Sequence, residues 1–230
     1  MDTEKLAESL MEELNCETVF TIPILGGIEV DEAVVVTWII MAAILLLSIY
    51  LTHGFRVHNP CKRQLLMETI YLAGVHFFED LLGEKGKRYI SYLISTVLYI
   101  GIANIIGLFG MKSPTKDLNV TAALALMSII LVEYAGIHEK GIKRWMKSFT
   151  EPIAIITPIN IMEVFIRPLS LCMRLFGNVL GSVVVMALIE LLIPVFVPVV
   201  FSLYFDIFDG LLQAYVFVFL TSLYIKEAID

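Results

Sequence analysis

The stretch that decides the fold is residues 159–192, Ile159-Asn-Ile-Met-Glu163-Val-Phe-Ile-Arg167-Pro168-Leu-Ser170-Leu-Cys-Met-Arg174-Leu-Phe-Gly177-Asn178-Val-Leu-Gly181-Ser182-Val183-Val-Val-Met-Ala-Leu-Ile-Glu190-Leu-Leu192. As a helix these 34 residues measure about 50 Å at about 1.5 Å per residue. A bilayer core is about 30 Å thick, so such a helix must tilt strongly, kink or project. Pro168 supplies a kink or a late start. An uncharged turn at 193–198, with Pro194 and Pro198, leads to a second long apolar helix, Val199–Ile225, which carries Asp206 and Asp209.

Three further spans precede this pair. Residues 33–52, 89–110 and 120–137 are apolar runs long enough to cross, and the third holds a single acid, Glu133, near one end. Residues 64–82 mix leucines and phenylalanines with Glu68, His76, Glu79 and Asp80. That mixture is too polar to span and suits an amphipathic helix lying in the interface. The expected architecture is an all-α integral membrane protein: about five transmembrane helices plus the interfacial helix, the last two long and strongly tilted.

Composition agrees. Of 230 residues 58% are hydrophobic and 17% charged, against about 45–50% and about 25% in a soluble domain. A net charge of −7 argues against nucleic acid as a partner. Residues 1–32 hold nine acids and only Lys5, a charge of −8, so the membrane domain at 33–230 is near neutral. This acidic arm lacks a basic n-region and does not read as a cleavable signal peptide, so the mature chain keeps it. Cys16, Cys61 and Cys172 form no framework and read as free thiols.

Lysine and arginine bias sets the orientation. The loops at 53–64, 83–88 and 138–148 carry the bases and go to the cytoplasm, whereas the arm, the 111–119 loop and the 193–198 turn go outside. Five spans with an external N-terminus and a cytoplasmic C-terminus satisfy every loop.

No zinc pair, phosphate loop or GxSxG frame is present, so no cofactor or bond-making site is expected. What remains is charge inside the membrane. Arg174 lies 15 residues into its helix, where an arginine costs about 2.5–3.5 kcal/mol on insertion scales. One reading is a structural ion pair with Glu163, Glu190, Asp206 or Asp209; the other is a fixed cation controlling an ion path. Ser170, Arg174, Asn178 and Gly181 fall on one stripe, as do Asp206, Asp209, Gly210 and Gln213. Two such stripes on antiparallel helices can face a shared aqueous cleft. Gly177, Gly181 and Ser182 permit close approach by a helix of this chain or of another protein. Asn104 reads as a helix-packing hydrogen bond.

Three segments resemble one family in order. Pro168-Leu-Ser-Leu-Cys-Met-Arg-Leu-Phe-Gly-Asn178 is similar to the signature of subunit a of the F-type ATP synthase, Gln213-Ala-Tyr-Val-Phe-Val-Phe-Leu-Thr221 to its last helix, and Pro114-Thr-Lys-Asp-Leu-Asn119 to the loop before its third span. The likeness covers roughly 33–227. It implies an ion-translocating stator subunit in a bacterial cell membrane, not catalytic by itself, beside a rotating ring of small hairpin subunits and held by the subunit b peripheral stalk. The family's essential arginine matches Arg174, with Asn178 its neighbour and Gln213 the polar residue on the facing helix. Two half-channels would bring protons or sodium ions to and from the ring.

The sequence departs from the family in one place. Members often carry Glu or His nine residues after the arginine, paired with His or Glu seven before the glutamine; here these are Val183 and Asp206. We expect Glu190, Asp206 and Asp209 to line the external half-channel instead. A transporter or channel acting alone is the other class, although the chain shows neither a repeat nor paired broken helices. A membrane-embedded hydrolase lacks a nucleophile and base.

Overall fold

The computed structural model describes residues 18–22, 28–56, 60–109, 112–149, 157–192 and 197–229. Five helical stretches are long and apolar enough to cross a membrane. The chain is a multi-pass, all-α membrane protein with one small addition: strands β1 (Thr18–Ile22) and β2 (Ile28–Asp31) pair antiparallel within the stretch read only as an acidic arm.

Helix α1 (Glu32–Thr52) buries only Ala33, Val36 and Ile40, one narrow stripe packed on Ala103. Its other faces show Trp38, Leu45, Leu46, Ile49 and Tyr50. Exposed apolar area at that density is incompatible with water and suits hydrocarbon. Helix α2 (Lys62–Gly86) overruns the expected 64–82 at both ends. Gly83 breaks it with φ 72°, a backbone region open to glycine, and a short 3₁₀ turn at Lys87–Tyr89 leads into α3 (Ile90–Ile105).

Helix α4 (Leu118–Lys140) has an identifiable start and stop. Asp117 caps the start by accepting from the Asn119 amide at 2.8 Å. Gly141, at φ 77°, ends the helix with its N–H on the Ile137 carbonyl. A short basic helix α5 (Ile142–Ser148) follows.

Helix α6 (Thr157–Leu192) is 36 residues, about 54 Å, so the length argument stands. It starts two residues before the expected Ile159, because Pro158 in a first turn has no N–H to waste. Pro168 lies inside it, depriving the Val164 carbonyl of its usual donor without ending the helix.

The last element corrects the expectation of one α-helix over 199–225. It comprises α7 (Val197–Ser202), a π-helical segment (Leu203–Asp209) and α8 (Gly210–Ile229). Helix α8 is the hub of the bundle. Its Ala214, Phe217, Val218 and Ile225 are buried against Leu93 and Ile100 of α3, Ile129 and Val132 of α4, and Leu171 and Leu175 of α6. Burial around α8 fixes how α6 and the π segment face each other.

Candidate functional site

Two short contacts set the direction of α6 against the last helix. Arg167 Nη2 meets Glu227 Oε1 at 2.6 Å, and Asn178 Nδ2 meets Asp209 Oδ2 at 2.7 Å. As residue numbers rise on one helix they fall on the other, so the pair is antiparallel. Each contact borders its own cavity.

The first cavity, about 430 Å³, opens beside the α3–α4 connection and is lined by Asn104, Lys112, Lys116, Asn178, Asp206 and Asp209, among others. Asp206 and Asp209 both sit in the π segment. Asn178 donates to Asp209, and the Ser202 hydroxyl donates to Asp206 at 2.8 Å. Lys112 also reaches Glu32 at the start of α1, at 3.4 Å. Val183 lines the same cavity and offers no polar atom. The side chain of Glu190 lies outside the described residues, so the expected carboxylate cluster is represented here by Asp206 and Asp209.

The second cavity, about 280 Å³, lies at the other end of the pair, lined by Glu133, Lys140, Asn160, Glu163, Arg167 and Glu227 among others. Arg167 is its centre: besides Glu227 it contacts Glu163 at 3.2 Å and stacks over the Tyr224 ring at 5.0 Å. Glu133 accepts from the Trp145 indole at 3.0 Å. Sequence reasoning did not anticipate this group. The Glu163–Arg167 spacing of four was a readable signal, but Glu227 is 60 residues away and no local pattern points to it.

Arg174 lies seven residues beyond Arg167 and four before Asn178, between the two cavities. It is exposed, and among the described residues it has no hydrogen bond or ion pair. The carboxylates considered as partners are engaged elsewhere: Glu163 with Arg167, Asp206 with Ser202, Asp209 with Asn178. A structural ion pair with any of those three is therefore absent.

Both expected polar stripes divide in the structure. On α6, Arg174, Gly177 and Gly181 are exposed together while Asn178 turns into the first cavity, and Ser170 is half-buried and lines neither cavity. Residues four apart drift about 40° on an α-helix, so a long stripe straddles two faces. On the last helix Gln213 is only 5% exposed and is not among the residues lining the first cavity. The cause is the π segment, which takes up an extra residue and so breaks the phase between Asp206 and Gln213. The Gln213 Nε2 has no hydrogen-bond partner among the described residues.

Gly177 and Gly181 on α6 are uncovered among the described residues. A Cβ added at either would meet none of the described residues within 4 Å. Among the described residues no group of three or more His, Cys, Asp or Glu could hold a metal ion. Cys172 is buried near Thr121 and Cys61 is exposed, both as free thiols.

Residues 34–226 match the family model described as ATP synthase A chain. The chain belongs to that family. Relatives span nearly its whole length: an ATP synthase subunit a from Moorella thermoacetica is 35% identical, covering 88% of this chain and 93% of its own. A second, ATP synthase subunit a 2 from a Bradyrhizobium species, is 32% identical over 89% of this chain and 92% of its own. A third, from Propionigenium modestum, is 31% identical over 88% of this chain and 75% of its own, and its name adds that it is sodium ion specific. Family membership places the chain in the membrane sector of an ATP synthase, with ion transport and ATP synthesis as its context.

Proposed function

We propose that this chain is the stator that delivers ions to a rotating c-ring and takes them away, with Arg174 as the fixed charge facing the ring. The observation that carries this reading is the setting of Arg174: exposed, without a partner among the described residues, beside two glycines that none of them covers, and between two separate polar cavities. An arginine presented to lipid from mid-helix is costly. One presented to the carboxylate of a neighbouring ring subunit is paired, and Gly177 and Gly181 leave room for that subunit's backbone to come close.

The mechanism follows from charge. A ring carboxylate carrying its ion is neutral and tolerates lipid. Opposite Arg174 the ionised form is favoured, so the ion is released. The same cation keeps an ion from passing straight between the cavities, which would dissipate the gradient without turning the ring. With the orientation set by the basic loops, the cavity holding Asp206 and Asp209 opens to the exterior and the one holding Arg167 and Glu227 to the cytoplasm. Each elementary charge falling through about 100 mV releases about 2.3 kcal/mol to drive rotation. Carboxylates suit both protons and sodium ions. The ring, the subunit b stalk and a bacterial cell membrane complete the setting, with the N-terminus outside.

Purification in mild detergent separates this reading from that of a transporter acting alone. The chain is expected to copurify with a ring and with ATP-hydrolysing subunits, and to move no ions when reconstituted without them. Ion transport by the isolated chain would overturn it. In the reconstituted complex, synthesis driven by protons or by sodium as the only gradient identifies the ion.

A further inference from the structure

The π segment stands at the edge of the first cavity and carries both of its carboxylates, so whatever holds its register also places Asp206 and Asp209. The junction between the π turn and α8 is at Gly210. Its N–H reaches back to the carbonyls of Ile207 and Phe205, the latter five residues earlier, which is the π pattern. Its own carbonyl accepts from Asn104 Nδ2 at 2.8 Å across the helix interface.

Asn104 is itself held. It is 6% exposed, and its Oδ1 accepts from the Thr115 hydroxyl at 2.8 Å. Thr115 is fully buried and lies 2.7 Å from the Ser113 hydroxyl, which donates to the Ala103 carbonyl at 2.6 Å. Asn104 thus reaches one carbonyl of the last helix while being held from behind by buried polar side chains of the loop after α3. Buried polar chains of this kind fix a unique arrangement when satisfied, and are costly when broken. Gly210 completes the fit: a Cβ there would stand 2.8 Å from the Asn104 Cβ. Just beyond α3, in the 3₁₀ turn at Ile106–Phe109, Gly107 faces Asp206, whose Oδ1 would lie 3.4 Å from a Cβ there.

We infer that Asn104 is a positioning residue for ion entry: by holding the Gly210 carbonyl it locks the π turn that presents Asp206 and Asp209 to the cavity. Relaxing the π turn to an α-helix would remove one residue's worth of rotation, about 100° for residues before the turn and part of that for Asp206. Asp206 would then leave the wall shared with Gly107, and Asp209 would lose its alignment with Asn178. This inference rests on the reading of the first cavity as an ion path.

The test uses the complete ATP synthase in vesicles, with ATP synthesis measured per assembled complex against external pH. Asn104→Leu keeps the branched shape and removes both hydrogen bonds. Synthesis is expected to fall about tenfold, the equivalent of one lost buried hydrogen bond, with ATP hydrolysis by the detached soluble part unchanged. Asn104→Asp is the more telling variant. As a neutral acid it can donate to the Gly210 carbonyl while accepting from Thr115; as an anion it cannot donate. Its rate is expected to approach wild type at acid pH and to fall away as pH rises. A merely structural asparagine would change the amount of assembled complex and leave the pH profile per complex alone. Wild-type rates for Asn104→Leu, or a wild-type pH profile for Asn104→Asp, overturn the inference. Should Asn104→Leu fail to assemble, the isosteric aspartate still decides. If Asp206→Asn and Asp209→Asn are both without effect, the ion-path reading fails first. If they slow synthesis while the Asn104 variants do not, only the positioning role falls.

Discussion

Asn178 on the long helix and Asp209 on the π segment share a 2.7 Å hydrogen bond, with the amide donating and the carboxylate accepting. The bond joins a residue four beyond Arg174 to one of the two acids in the first cavity, and it leaves the Asp209 Oδ1 free of that donor. It ties α6, one turn beyond Arg174, directly to the acidic wall of the first cavity.

The two acids are expected to act as separate stations. Asp209→Asn and Asp206→Asn should each slow ion-driven ATP synthesis severalfold in fully assembled complexes, and the double variant should slow it more than either. Glu190→Gln, at the end of the same helix as Asn178, is expected to act in the same direction. Synthesis rates over a range of pH check this. Unchanged rates in all of these variants would move the path elsewhere.

The uncovered glycines give a prediction that separates folding from rotation. Among the described residues nothing lies within 4 Å of a Cβ at Gly177 or Gly181. Gly177→Leu and Gly181→Leu should therefore leave the amount of this chain in the membrane unchanged. They should cut ATP-driven ion pumping tenfold or more, because the added side chains intrude on the face proposed for the ring. Immunoblots of membranes set beside pumping assays decide it. Normal pumping would mean that no partner approaches this face closely.

Arg167 is expected to matter differently from Arg174. It clasps Glu163, Glu227 and the Tyr224 ring and has little exposure of its own. Arg167→Ala leaves two carboxylates without their cation and frees the end of α8. Because Glu227 is largely exposed, the cost is on the order of 1–2 kcal/mol. Faster proteolysis near the C-terminus is the readout. Arg167→Lys should recover little of the loss, since an ammonium matches neither the forked geometry nor the ring face.

These contrasts show what was legible in the sequence. Helices α1, α3, α4 and α6 were readable because each is a long apolar run bounded by bases, prolines or glycines, and their ends moved by only a few residues. The prominence of Arg174 was readable too, since an arginine so far from a helix end is conspicuous without any structure. The π turn was not. Leu203–Asp209 has an ordinary apolar pattern with two acids, and the turn ends at Gly210, whose carbonyl is held by Asn104, about a hundred positions earlier. For the same reason Gln213, placed on the stripe of Asp206 by α-helical spacing, is buried in the bundle. Arg167 and Glu227 were separately visible as charges, but their pairing depends on how the two helices cross.

Replacing Arg174 and measuring coupling in the assembled complex tests the central claim most directly. Arg174→Ala should abolish ion-driven ATP synthesis and ATP-driven pumping, with complexes present in normal amounts and a passive ion leak through the membrane sector. Arg174→Lys should also lose most coupling, because a compact ammonium lacks the broad guanidinium face. ATP-driven pumping at the wild-type rate by the alanine variant would contradict the account.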